Sequence, residues 1–195
     1  GTGLFMNEVV QDVAAEADAM VLSGPSFAAD VLKGLPTAVV LAASRIEDAR
    51  HWAGTLSRPF FRIYASDDVK GVEVGGAVKN VVAIATGISD GLGYGANTRV
   101  ALITRGLAEM VRLGEALGAD RDTFMGLAGL GDLVLTCTDD QSRNRRFGLA
   151  VAGGTTVSQA IRDIGQVVEG VHAARAVFRV AQRLAVDMPI CEHVY

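Results

Sequence analysis

With 195 residues, half of them hydrophobic, the chain is long enough to bury one ordinary core or two small ones. Its 18 lysines and arginines against 22 acids leave a net charge of -4, which excludes a general field for nucleic acid or a membrane surface. Only two cysteines, Cys137 and Cys191, stand far apart, and the three histidines share no ligand spacing with them; this argues against a disulfide framework or structural metal and for buried free thiols.

The first third alternates short strands with helices. Leu4 to Ala17 places Leu4, Val9, Val10, Val13 and Ala14 on one face with acids opposite, which predicts a helix. Met20 to Leu22 reads as a brief strand ending at Ser23-Gly24-Pro25-Ser26, and Phe27 to Lys33 as a helix with Ser26 as its N-cap. Thr37 to Ala42 and Phe61 to Ala65 read as strands around a helix from Ile46 to Leu56. Alternation of this kind suggests the tail of an α/β sheet.

From Ser66 onward the pattern is almost continuous helix. Ser66, Asp67 and Asp68 offer caps. Thr98 to Leu117 carries Ile103, Leu107, Met110, Val111 and Leu117 on one stripe, stopped by Gly118. Asp122 is expected to cap a short helix, Ser142 to cap one from Arg145 to Ala152, and Thr156 to open the next; Gly170 to Leu184 completes the set. A domain boundary is placed near Lys70. The 23 glycines, with aromatics at only 6%, favour closely packed helices. The uncharged run Asn80 to Ser89 is too short to cross a bilayer, so no integral membrane segment is expected. Gly1-Thr2-Gly3 lacks the basic flank and apolar core of a secretory signal. Lacking an initiating Met, the chain is expected to be a piece of a longer protein.

Lys79 is the side chain that most needs explaining. It is the only charge between Glu73 and Asp90, and its helical neighbours Gly75, Gly76, Val82 and Ala83 cannot pair with it. Desolvation disfavours an ammonium there unless a distant carboxylate holds the charge, and such a group suits proton transfer to a carbonyl oxygen. Asp132, in an apolar setting, either caps a helix or pairs with Lys79; Thr136, one turn later, would face the same place. Gln141 to Arg146 is the one basic cluster, at a helix N-terminus where backbone donors and a guanidinium suit a phosphate; a solvated basic turn is the alternative. Arg99 and Arg105 are further anion contacts or interface residues. Ser26 either caps its helix or offers its hydroxyl to a phosphate or carbonyl at a strand end. Glu169, in Gln166 to Gly170, opens a helix or accepts from a ribose or amide. The glycines of 91–95 and 126–131 follow no strand, so they read as helix terminators and tight contacts rather than dinucleotide fingerprints.

Five segments together carry a resemblance: LSGPSFA at 22–28, GVEVGGAVKNVVAIATGISDGLGYGANTRVALITRG at 71–106, GLAGLGDLVLTCT at 126–138, SRNRRFG at 142–148 and VVEG at 167–170. The chain resembles the bacterial NAD(P)-dependent glycerol-3-phosphate dehydrogenases from near Gly1 to near Tyr195. The resemblance implies an α/β remnant of a Rossmann-type domain over 1–70. A mostly α-helical substrate-binding and catalytic domain of the 6-phosphogluconate-dehydrogenase C-terminal-like type follows over 71–195. It implies Lys79 as the proton-transfer residue paired with Asp132, and Gly24 and Ser26 as substrate contacts. Ser142, Arg143 and Asn144 would bind glycerol phosphate, with Asn80 and Thr136 as extra contacts by analogy with eukaryotic relatives. Ala28, Arg143, Val167 and Glu169 would meet the cofactor, NAD or NADP, with NADPH favoured. A cytoplasmic homodimer acting on a small phosphorylated substrate and supplying phospholipid synthesis is the implied setting. The family's glycine fingerprint and a substrate-binding lysine are expected upstream of Gly1, and the last helical residues beyond Tyr195, so the 195 residues alone are expected to be inactive, with truncated sheet edges open to dimerisation. The competing readings are another 6-phosphogluconate-dehydrogenase-like enzyme and a non-catalytic helical dimerisation module.

Overall fold

Three short runs pair into one sheet, β1 (Met20–Ser23), β2 (Thr37–Ala43) and β3 (Phe61–Ser66), in that order. The computed structural model describes residues 4–195, so the reading of Gly1 to Gly3 lies outside them. β1 runs antiparallel to β2, with Ser23 opposite Val40; β2 and β3 are parallel, with Thr37 opposite Phe61. A parallel pair needs a crossover, supplied by α3 (Ile46–Leu56), whose bounds match the sequence reading. Side chains alternate across β2 as a period of two requires: Val39 and Leu41 meet Ala53 of α3 and Ile63 of β3, while Val40 and Ala42 face the other way.

The two earlier helices are shorter than expected. α1 (Met6–Val13) stops four residues before Ala17, and none of its residues is fully buried, so little packing holds a further turn. α2 (Ala28–Leu32) is a single turn that begins after Phe27. Ser26 does not cap it; its hydroxyl donates to the Gly24 carbonyl at 3.0 Å instead.

After Ser66 the described residues contain no further strand. α4 (Val69–Gly91) is capped by Asp68, which accepts from the Gly71 N–H at 2.8 Å. Its other carboxylate oxygen accepts from Asp120 N–H at 3.0 Å and the Thr123 hydroxyl at 2.7 Å, tying the start of α4 to a distant turn. α5 (Gly95–Ala116) begins three residues before Thr98 and is closed by Gly118 at φ +84°. Asp120, not Asp122, caps α6 (Arg121–Met125), because its carboxylate reaches the Asp122 N–H. A π-helical turn (Leu127–Gly131) leads into α7 (Asp132–Thr138). α8 (Arg143–Ala152) starts two residues earlier than expected, with Ser142 as its cap; Thr156 caps α9 (Val157–Ile164). α10 (Glu169–Leu184) and α11 (Pro189–Val194) complete the chain.

α4 is the axis around which the rest is arranged. Its first turns, through Val69 and Val72, cover the sheet face carrying Val40 and Ala42. Further along, Val78, Val81 and Val82 join Met110 and Leu113 of α5, Phe124 of α6, Leu133 of α7 and Val177 of α10 in the main core. Near its end α4 crosses α8 backbone to backbone: a Cβ on Gly148 would lie 2.3 Å from the Ile84 carbonyl oxygen, and one on Gly87 would lie 2.2 Å from that of Arg145. The glycine-rich composition is used for helix contact here. Among the described residues α4 alone passes as a membrane span by length and composition, being longer than the Asn80–Ser89 run, but 67% of its apolar window is buried within the fold. Both cysteines are free and buried.

Candidate active site

Lys79 sits midway along α4, and its ammonium forms an ion pair with the Asp132 carboxylate. The sharper of the two readings of Asp132 therefore holds, and its side chain makes no cap. The lysine is less desolvated than the apolar sequence suggested: its side chain stays 19% exposed against 4% for Asp132, so a buried acid anchors a cation that still reaches solvent. Thr136, one turn along α7, donates to Asp132 Oδ1 at 3.2 Å and to its carbonyl at 2.6 Å. From the sheet side the Ser23 hydroxyl approaches Asp132 Oδ2 at 3.5 Å. Sequence reasoning did not pair Ser23 with Asp132; the strand-end position of Ser23 was the available signal.

Glycines make this approach possible. A Cβ on Gly75 of α4 would lie 2.5 Å from the Ala128 carbonyl oxygen, and one on Gly129 would lie 2.2 Å from that of Phe124. The π-helical turn thus lies directly on α4 and delivers Asp132 beside Lys79.

A chain of amides joins the next wall. Asn80 Nδ2 donates to the Gly76 carbonyl at 3.0 Å and to Glu169 Oε2 at 3.2 Å. Its Oδ1 accepts from Asn144 Nδ2 at 2.8 Å, and Asn144 Oδ1 accepts from the Gly170 N–H at 2.8 Å. These bonds fix α4, α8 and the start of α10 to one another. Arg143 lies 3.8 Å from Glu169 Oε1, with both side chains well exposed, so water screens that pair and leaves both groups available.

The basic cluster divides by direction. Arg143 opens into a cavity and Arg146 is exposed, while Arg145 is buried and bridges Asp90 and Asp140, the latter at 3.0 Å. Arg99 is engaged by Asp90 at 2.7 Å, so it makes an ion pair within the fold rather than the anion contact considered for it. Arg105 lies exposed on α5.

A cavity of about 180 Å³ gathers most of the expected residues. Gly24 and Ser26 come from the loop after β1, Lys79 and Asn80 from α4, and Asp132 and Thr136 from α7. Ser142, Arg143, Asn144 and Glu169 close the far side. Gly24 has φ +144°, and a Cβ there would lie 2.9 Å from the Val39 Cα, so the loop can turn against β2 only as glycine. Phe27, Leu135 and Gln141 also line the cavity. Gln141 opens the basic cluster read from the sequence, whereas Phe27 and Leu135 only adjoin residues singled out there, and nothing in their types marked them. Ala28 and Val167 are not cavity residues; both lie exposed, Ala28 at the start of α2 and Val167 ahead of α10.

Burial pushes the thiol of Cys137, next to Thr136, up to about 12, partly offset by the Thr86 hydroxyl, so it is not a nucleophile at neutral pH. What the cavity offers is an amine held by a buried acid on one wall. On another it offers a helix N-terminus with a guanidinium. The N–H groups of Arg143 and Asn144, in the first turn of α8, have no carbonyl one turn back to bond.

Two family models cover most of the chain: the C-terminus of NAD-dependent glycerol-3-phosphate dehydrogenase matches residues 68–195, and its N-terminus matches residues 1–49. A curated relative from Nitrosococcus oceani, named glycerol-3-phosphate dehydrogenase (NAD(P)+), is 59% identical over 196 residues, which is 100% of this chain and 57% of the relative. One of the same name from Aromatoleum aromaticum is 55% identical, over 100% of this chain and 60% of its own. The crystal structure of glycerol-3-phosphate dehydrogenase from Coxiella burnetii superposes with a TM-score of 0.94 at 49% identity, covering 98% of this chain and 59% of that one. A Dunaliella salina structure gives 0.85 at 28% identity, over 95% and 33%. The chain thus spans 57% and 60% of the lengths of those two curated relatives.

Proposed function

The chain belongs to the NAD-dependent glycerol-3-phosphate dehydrogenase family, and from that premise we propose that the complete protein interconverts dihydroxyacetone phosphate and sn-glycerol 3-phosphate. The observation that carries the proposal is the placing of the Lys79–Asp132 pair and the α8 N-terminus on walls of one cavity. That arrangement suits a small molecule with a ketone at one end and a phosphate at the other.

In the reducing direction Lys79 Nζ gives a proton to the ketone oxygen as negative charge develops there. Asp132 holds the ammonium before transfer and orients the amine after it, itself held by Thr136 and Ser23. Arg143 and the free N–H groups of Arg143 and Asn144 bind the phosphate, and Ser142 fixes the helix start by accepting from the Arg145 N–H at 3.2 Å. Asn80 and Asn144, locked by each other, face the substrate hydroxyls. Gly24 and Ser26 complete the wall nearest the sheet.

The residues at the mouth fit the nicotinamide end of NAD or NADP. Phe27 offers a flat apolar ring, and Glu169, 60% exposed in its side chain, keeps acceptor capacity for ribose or carboxamide donors. When bound, that group supplies the hydride. Arg143 would reach it from the phosphate side, and Ala28 and Val167 would serve only the part that extends beyond the cavity. We place the boundary between the cofactor-binding and helical parts near Lys70, where the last strand gives way to α4. A homodimer, a cytoplasmic setting and a supply of glycerol phosphate to phospholipid synthesis complete the proposal.

Replacing Lys79 by Met in the complete protein tests it. Turnover should fall by about two to four orders of magnitude, the usual share of a general acid, while reduced cofactor still binds, as read by its fluorescence. A variant that keeps turnover within tenfold of the parent would remove Lys79 from the chemistry.

A further inference from the structure

Arg145 shares a turn of helix with Arg143 yet serves a different purpose. The two positions are two residues apart and so lie on opposite sides of α8. Arg145 is 8% exposed in its side chain and does not line the cavity. Its Nη1 pairs with Asp90 in the last turns of α4, where Asp90 also receives Arg99 from α5 at 2.7 Å. Its Nε donates to Asp140 Oδ1 at 3.0 Å. One planar fork therefore joins α4, the turn before α8 and the first turn of α8 itself.

That turn has little else to hold it. Asp139 organises it locally, accepting from the Gln141 N–H at 2.8 Å and the Ser142 N–H at 3.1 Å. Asp140 has no other partner among the described residues, and its side chain is 74% exposed. Gln141, Ser142, Arg143 and Asn144, which form one wall of the cavity, all follow directly from it. Lys79 and Asp90 are eleven residues apart on the same uninterrupted helix, roughly 16 Å at 1.5 Å per residue. Asn80, beside Lys79, holds Asn144 in the first turn of α8, while Arg145, gripping Asp90 further along α4, tethers the turn that leads into α8.

We propose that Arg145, acting through Asp140 and Asp90, is a positioning residue that holds the turn and N-terminus of α8 ready for the substrate phosphate. This rests on the reading above that α8 binds that phosphate. Preplaced donors raise affinity by cutting the cost of ordering them on binding. A lysine at 145 would keep the charge but cannot bridge two carboxylates with a planar fork.

The experiment uses the complete protein with Asp140→Asn and Arg145→Lys. Asp140→Asn removes the charge from the exposed arm, leaving at most a neutral hydrogen bond to the amide oxygen, and keeps the buried pair with Asp90 intact, so it decides the matter alone if Arg145→Lys does not fold. Titration calorimetry with inorganic phosphate should show Kd raised about three- to tenfold in Asp140→Asn, the scale of one charge-assisted hydrogen bond that orders a loop, and more in Arg145→Lys. KM for dihydroxyacetone phosphate should rise by the same factor with kcat within twofold, while kcat/KM for dihydroxyacetone, which has no phosphate, stays unchanged. Unchanged phosphate Kd in the folded variants, or a loss confined to kcat, overturns the proposal. If the parent protein binds phosphate but does not reduce the triose phosphate, the reading of the function falls while the Kd comparison still judges Arg145. Failure of the parent to bind phosphate overturns both.

Discussion

Glu73, one turn into α4, accepts from the Asn7 N–H at 2.9 Å and so holds the start of α1. Its second oxygen and Asn7 Oδ1 are both buried without a hydrogen-bond partner among the described residues. Burial raises the Glu73 pKa above its ordinary value near 4.5 and Glu8 adds to the shift, against the lowering effect of the Asn7 and Met6 N–H groups. The folded state therefore holds this proton more tightly than the unfolded chain does. Ionisation costs nothing below the ordinary carboxylate value, and the cost grows as pH rises through the raised one. Glu73→Gln keeps the acceptor and adds a donor, so it should stabilise the chain at pH 7 by at most about 1 kcal/mol, discounted for partial solvent access. The gain should vanish near about pH 4, where the native carboxyl is protonated too. Thermal midpoints of both chains at the two pH values measure this; an equal gap at both would contradict it. The Lys79–Asp132 pair was legible because each charge stood alone in apolar sequence. The tasks of Ser26 and Arg145 were not, since a hydroxyl in a turn and an arginine in a basic run each have several partners within reach until the chain folds.

At the scale of elements, the crossing of α4 and α8 decides how closely the N-terminus of α8 approaches Lys79. Gly148→Ala sets two effects against each other. Alanine improves helix propensity by about 1 kcal/mol. Its Cβ would meet the Ile84 carbonyl oxygen at 2.3 Å and the Ile88 nitrogen at 2.8 Å, and neither backbone atom can rotate aside. Overpacking should win, with a net loss of about 1–3 kcal/mol, read as a lower urea midpoint at unchanged slope. A midpoint equal to the parent's would show that the helices part freely. Element boundaries were most legible where a period and its punctuation agreed: the Ile46–Leu56 helix came out as read, and Asp68, Ser142 and Thr156 cap as their types suggest. The π-helical turn was not, because a run of glycine and leucine carries no periodic signal. Its shape comes from the backbone of α4 lying against it. α1 was overextended from its apolar spacing, a pattern that needed a surface to bury against.

For the whole molecule, the order of a small sheet followed by helices could be read from the change in periodicity at Ser66. The central place of α4 could not, since nothing in a helix's own pattern says how many neighbours it will have. Those neighbours enclose two thiols, Cys137 in the main core beside the cavity and Cys191 in the short terminal helix. Burial pushes the first up to about 12 and the second higher still, where Glu109 adds to the effect. Neither sulfur can react from the closed state, so alkylation has to wait for the structure around it to open. The two cysteines are therefore clocks. At neutral pH iodoacetamide should modify Cys137 at least about a thousandfold more slowly than a free thiol, because core opening is that rare. Cys191, on a six-residue helix, should run faster. Mass spectrometry of timed samples reads both, and a Cys137 rate within tenfold of free cysteine would mean the core is not closed. A residue outside the cavity would then record how often the core behind Lys79 and Asp132 comes apart.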